Sequence, residues 1–176
     1  MSRISRPKDD DPKSSSTESL ETPTASAVRS LGTATFPAAF ARVASSTFQA
    51  DQVIVFRVDG PSIRTLLARN LREGTDRAVE LAESYSKKHW AKDPNRNLLL
   101  PANGPQRDVV LRATRVEDIE DRAYRQSLFV EPELGGKASL VVREPDHALY
   151  LNLYRGVDRK PFAAEEMELI RLSRCY

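Results

Sequence analysis

The amino-acid sequence predicts an α+β fold, a five-stranded antiparallel sheet with helices on both faces. Three observations carry this. Four period-two runs fall into two adjacent pairs, joined by Asp59-Gly60-Pro61 and by Glu144-Pro145-Asp146, with a fifth run between the pairs, so the strands connect largely as hairpins. Helix-period segments stand before, between and after these strands. The strand side opposite the leucines carries valines and tyrosines, so neither face is plainly built for water.

Each element has its own signal. Residues 1–28 are Ser, Thr, Pro and mixed charges, with too little apolar surface to offset the entropy of ordering; they are expected to be a disordered leader to one domain over 29–176. "ATFPAAFARVASSTF" then spaces Phe36, Phe40, Val43 and Thr47 at helical intervals, with Ala39 beside them. In "VIVFRVDG" Ile54, Phe56 and Val58 share one face and Val53, Val55 and Arg57 the other; Asp59, Gly60 and Pro61 turn the chain into a second run from Ile63 to Ala68. "TDRAVELAESYSKKHW" offers Thr75 or Asp76 as a helix cap and Val79, Leu81, Ala82, Tyr85 and Trp90 as the inward stripe, ended by Pro94.

Leu98, Leu99 and Leu100 sit in a loop-like stretch and need burial. "VVLRATRVEDI" reads as a strand running into a helix whose Ile119, Ala123 and Phe129 face inward, and Gly135-Gly136 as a turn. "KASLVVRE" and "HALYLNLYR" form the second hairpin. Leu149, Leu151 and Leu153 line one face of its last strand, and Tyr150, Asn152 and Tyr154 the other. "PFAAEEMELIRLSRCY" closes the chain as a helix with Met167, Leu169, Ile170 and Leu172 as its stripe.

Composition removes several function classes. The chain has 176 residues, enough for one ordinary domain, and 27 Lys and Arg against 25 Asp and Glu give a formal charge of +2, far from the excess of a dedicated nucleic-acid binder. Cys175 is the single cysteine, and neither His89 nor His147 has a ligand-spaced neighbour, so no metal site is expected. No segment has the apolar length of a signal peptide or a membrane span, which points to a cytoplasmic protein. No serine sits in a nucleophile elbow, no phosphate loop occurs and the glycines are scattered, so no catalytic residue and no cofactor are expected. The charges of "RVEDIEDRAYRQ" alternate at spacings of three and four, as on a solvated face.

"VIVFRVDG", then "HWAKDP" after a helix, then a sheet hairpin and "YRGVDRKPFAAEEMELIRLSRCY" together resemble the N-terminal, GAF-like sensor domain of LuxR-type transcriptional regulators, from about Phe36 onward. The resemblance implies a GAF/PAS-like α/β/α sandwich. It also implies a small-molecule signal, acyl-lactone-like or an aromatic acid, and pairing as a homodimer or as a heterodimer with a full-length regulator. Such regulators continue into a helix-turn-helix, and this sequence stops at Tyr176, so direct DNA binding by this chain is not expected. In the acyl-homoserine-lactone receptors of this group an aromatic, two residues and Asp-Pro belong to the ligand pocket, the carboxylate accepting from the ligand amide. Trp90, Ala91, Lys92, Asp93 and Pro94 match that spacing, and Tyr85 stands upstream on the same helix.

Tyr150, Asn152 and Tyr154 are further candidates to orient a ligand through hydroxyl and amide groups. The same residues also suit a turn before Pro94 with a core tryptophan, and tyrosines buried under a helix. The sequence leaves both readings open, alongside a truncated regulator without activity and a small-molecule-modifying enzyme on a related scaffold. Where the family offers Ser or Thr to cap the last helix, Ala163 stands ahead of Glu166, which leaves half of a capping box.

Overall fold

The computed structural model describes residues 22–72, 77–100 and 108–172. Its sheet has five strands, β1 (Gln52–Asp59), β2 (Ser62–Asn70), β3 (Asp108–Arg115), β4 (Leu134–Arg143) and β5 (Ala148–Gly156). They lie in the order β2-β1-β5-β4-β3, and every neighbouring pair is antiparallel. The expected fold class is therefore the observed one.

Turn chemistry sets the hairpins. Asp59 pairs with Ser62 across Gly60, whose φ of +57° suits a residue without a side chain, and Pro61. At the other hairpin Glu144 N–H donates to His147 O at 2.8 Å. The alternation of the strands fixes what each face carries. Ile54, Phe56, Val141, Tyr150 and Tyr154 build the inner core, with Leu81, Tyr85, Tyr124, Leu128 and Phe129 from the layer above. Val53, Ala138 and Leu153 build a smaller core on the opposite, outer face with Ala44, Ala50 and Phe162.

Helix α1 (Pro23–Arg29) precedes α2 (Phe36–Phe48), and the two pack together. This corrects part of the expected leader: Thr22 accepts from the Ala25 N–H at 3.3 Å, Pro23 sits at the first helical turn, and Ala27 is buried. Residues 1–21 lie outside the described ones. On α2 the fully buried positions are Ala39 and Ala44, while Phe36 and Phe40 are half-buried with rings stacked 5.8 Å apart. Thr47 is exposed.

The inner layer is made by α3 (Arg77–Ser84), a π turn at Tyr85–His89, 3₁₀ turns at Trp90–Lys92 and Arg96–Leu99, α4 (Arg122–Arg125) and a second π turn at Gln126–Val130. Leu81, Ala82 and Tyr85 point inward as expected, but Val79 is exposed and Ala78 takes a buried place. The expected helix at 117–129 starts only at Arg122, capped by Asp121, so Tyr124 and Leu128 join Phe129 inside and Ala123 faces out. Leu99 is buried and Leu100 is exposed.

Gly135 and Gly136 lie within β4 rather than in a turn. A Cβ on Gly136 would stand 2.8 Å from Thr114 O, so the close approach of β3 and β4 needs a glycine there. Helix α5 (Ala164–Leu172) ends the described chain. Glu166 accepts from the Ala163 N–H at 2.8 Å, so the Glu half of the capping box forms without its serine.

Candidate functional site

Asp93 sits at the centre of the inner layer. The helix carrying Tyr85 widens into a π turn, tightens into a 3₁₀ turn, and delivers Asp93 in extended backbone immediately before Pro94. The two carboxylate oxygens then do different jobs. Oδ1 accepts from the Asn95 N–H at 2.7 Å, an Asx turn that fixes the chain after Pro94. Oδ2 accepts from the hydroxyls of Tyr85 at 2.8 Å, Tyr124 at 2.9 Å and Tyr150 at 3.0 Å, and from Lys137 Nζ at 2.9 Å. The turn and the buried acceptor read from the sequence are thus one residue.

The network spreads along the sheet. Lys137 Nζ also reaches the hydroxyls of Tyr150 at 2.8 Å and Tyr124 at 3.1 Å. Asn95 Nδ2 donates to the Tyr150 hydroxyl at 3.0 Å and to Ser139 Oγ at 3.3 Å, and Ser139 Oγ donates to Asn152 Oδ1 at 2.8 Å. The Asp93 and Lys137 side chains are both 0 % exposed. Burial pushes the Asp93 carboxyl up, but the Lys137 ammonium, the Asn95 N–H and the Tyr85 hydroxyl outweigh it, so its pKa lies below the usual carboxylate value. Burial and then the Asp93 charge raise the three tyrosine hydroxyls well above their ordinary range, so each stays a neutral donor.

Of the six candidates named from the sequence, Tyr85, Asp93, Tyr150 and Asn152 come together in this network. Tyr154 is buried on the same face, its ring centroid 6.1 Å from that of Phe129. Trp90 lies at the rim, half-buried, with the Arg96 guanidinium 3.9 Å over its ring. Sequence reasoning missed Tyr124, Lys137, Asn95 and Ser139. The alternation of "KASLVV" was the available signal: it places Lys137 and Ser139 on the face of Tyr150 and Asn152, and the pairing sets Ser139 opposite Asn152 and Lys137 opposite Tyr154.

Two amides keep unused capacity here. Asn95 Oδ1 and Asn152 Nδ2 are buried without a hydrogen-bond partner among the described residues. The outer face differs in kind. There Phe36, Phe40, Val55, Leu66, Leu140 and Leu151 help line an apolar hollow of about 360 Å³.

No family model matches the chain, and no curated protein does. Among solved structures, the crystal structure of the VqsR LBD domain from Pseudomonas aeruginosa superposes with a TM-score of 0.59 at 18 % identity, covering 84 % of this chain and 85 % of that one. VqsR is a LuxR-type regulator, and the matched part is its ligand-binding domain. This chain has the fold of such a domain. Among the described residues no helix is long and apolar enough to cross a membrane, and no group of His, Cys, Asp and Glu is placed to hold a metal ion.

Proposed function

We propose that the chain is a signal-sensing and pairing domain of the LuxR type, GAF-like in architecture, that binds a small molecule in the layer around Asp93. One observation carries this reading. A buried carboxylate, a buried ammonium, three tyrosines and two asparagines converge in the middle of the core, and the amides there retain an unpaired acceptor and an unpaired donor. Folding alone gains little from such a cluster, because a buried ion pair is often no better for stability than apolar residues of the same volume. Polar groups aimed at one place inside an apolar layer are what a small-molecule site requires. The likeness to the VqsR domain supports the same reading.

The outer face suits the pairing role. The stacked Phe36 and Phe40 and the exposed Leu66 border its apolar hollow, which a second copy or a full-length regulator would cover. The test is calorimetric titration of the full chain with acyl-lactones and small aromatic acids, repeated on Tyr150→Phe, which keeps the ring and removes the hydroxyl. Binding that weakens about tenfold in the variant supports the site. Binding unchanged in Tyr150→Phe places the ligand elsewhere.

A further inference from the structure

Resting on the signal site just proposed, the geometry points to Lys137 as a built-in occupant of that site: its ammonium holds the place on Asp93 that a signal's N–H donor would take, and a signal binds by displacing it. The count of donors comes first. A carboxylate offers about four lone-pair positions, and Asp93 already receives Tyr85, Tyr124, Tyr150 and Lys137 on Oδ2 and the Asn95 N–H on Oδ1. A further donor enters only if one of these leaves.

Four of the five are fixed. The Asn95 donor is backbone. The Tyr85 ring lies 4.7 Å from Phe56, Tyr124 6.1 Å from Phe129 and Tyr150 6.3 Å from Phe56, so moving a hydroxyl means moving a packed ring. Lys137 alone reaches Asp93 on a flexible four-carbon stem. It also has somewhere to go. Thr114 is its partner across β3 and β4, on the same face, and Thr114 Oγ1 is buried with no hydrogen-bond partner among the described residues. Thr114, Lys137 and Glu117 border one hollow of about 220 Å³, which Arg115, Arg155 and Arg159 also line. A withdrawn ammonium thus has an unpaired acceptor one strand away, on its own face of the sheet. In its absence, Asp93 Oδ2, Asn95 Oδ1 and Asn152 Nδ2 present two acceptors and a donor in one layer.

The test uses the full chain and three forms, wild type, Lys137→Ala and Lys137→Met. n-Propylammonium chloride replaces the atoms that Lys137→Ala removes. It is expected to raise the Tm of that variant by several degrees over an equal concentration of potassium chloride, with no such rise in the wild type or in Lys137→Met. In calorimetry, short-, medium- and long-chain N-acyl-homoserine lactones serve as N–H-donor probes, and the best of them is expected to bind Lys137→Met at least about tenfold more tightly than wild type. Should Lys137→Ala not fold, the lactone comparison decides alone. Equal lactone affinity in wild type and Lys137→Met overturns the inference while leaving the signal site standing. A folded Lys137→Ala that shows no selective response to n-propylammonium also overturns it. Lactone binding to neither form overturns the inference, and the signal-site reading falls with it only if small aromatic acids also fail to bind.

Discussion

Lys137 Nζ lies 2.9 Å from Asp93 Oδ2, 44 residues away in the chain, and neither side chain is exposed to solvent. This pair decides what substitution at Asp93 does. From the sequence, Asp93→Asn would be expected to leave folding nearly unchanged, because Asn also suits a turn before Pro94. In the structure it leaves an ammonium buried without its counter-charge, and the expected loss is about 3–5 kcal/mol. The double variant Asp93→Asn with Lys137→Met removes both charges and should recover most of that loss. Urea denaturation of the single and double variants checks this; losses that simply add would mean the pair is not coupled.

Acid should reveal the same pair. The folded-state pKa of Asp93 is depressed, so its contribution to stability is present above the unfolded carboxylate value and is lost as pH falls through the folded one. Unfolded Asp titrates near pH ~3.9, so the loss begins below about pH 4. Glu166, also held low by its hydrogen bonds from Arg155, loses its share in the same range. Thermal melts from pH 7 downward are expected to stay level to about pH 4 and then fall. The Asp93→Asn with Lys137→Met variant should fall less steeply, and equal slopes would refute the assignment to Asp93.

The strands were legible because a two-residue period is a strong signal over eight to ten residues. Asp93 was legible because Asp-Pro and an aromatic three residues earlier form a local pattern. Tyr124 and Lys137 were not. Each looks ordinary where it stands, one inside a charged segment and one opening a strand, and only folding brings them across 31 and 44 residues to Asp93. Val79 and Ala123 were misplaced for a different reason. Val79 was chosen for its size, whereas the regular i, i+3, i+4, i+7 stripe of α3 runs through Ala78, Leu81, Ala82 and Tyr85, and Ala123 was placed on a helix that begins only at Arg122.

The start of α5 is tied to the sheet by one side chain. Arg155 is buried and donates to both oxygens of Glu166, to Phe48 O at 2.7 Å and to Lys160 O at 3.1 Å, and its guanidinium covers the Phe162 ring at 4.0 Å. Arg155→Met keeps much of the stem but leaves all of these acceptors without their charged donor, a cost of at least about 2–4 kcal/mol. Glu166→Gln retains neutral hydrogen bonds to both Arg155 and the Ala163 N–H and should cost about 1 kcal/mol. Hydrogen exchange over residues 163–168 is the direct measurement. Exchange there that is no faster in Arg155→Met would show that α5 is held by its apolar contacts alone.

If the outer face is a pairing surface, it should fail at Leu66. A bulge in β2 opposite Val55 and Phe56 leaves Leu66 51 % exposed beside the hollow that Phe36 and Phe40 border. A charge there meets water in the monomer and so costs the fold little, within about 0.5 kcal/mol. In a dimer the same charge would be taken out of water against apolar side chains, which is costly without a partner. Sedimentation velocity at tens of micromolar, an ordinary working range for association near ~1 μM, is expected to show a dimer for wild type and a monomer for Leu66→Glu, with equal melting temperatures at low protein concentration. Phe40→Ala should weaken pairing less than Leu66→Glu, since it removes contact area without introducing a charge. A wild type that sediments as a monomer throughout would remove self-association through this face.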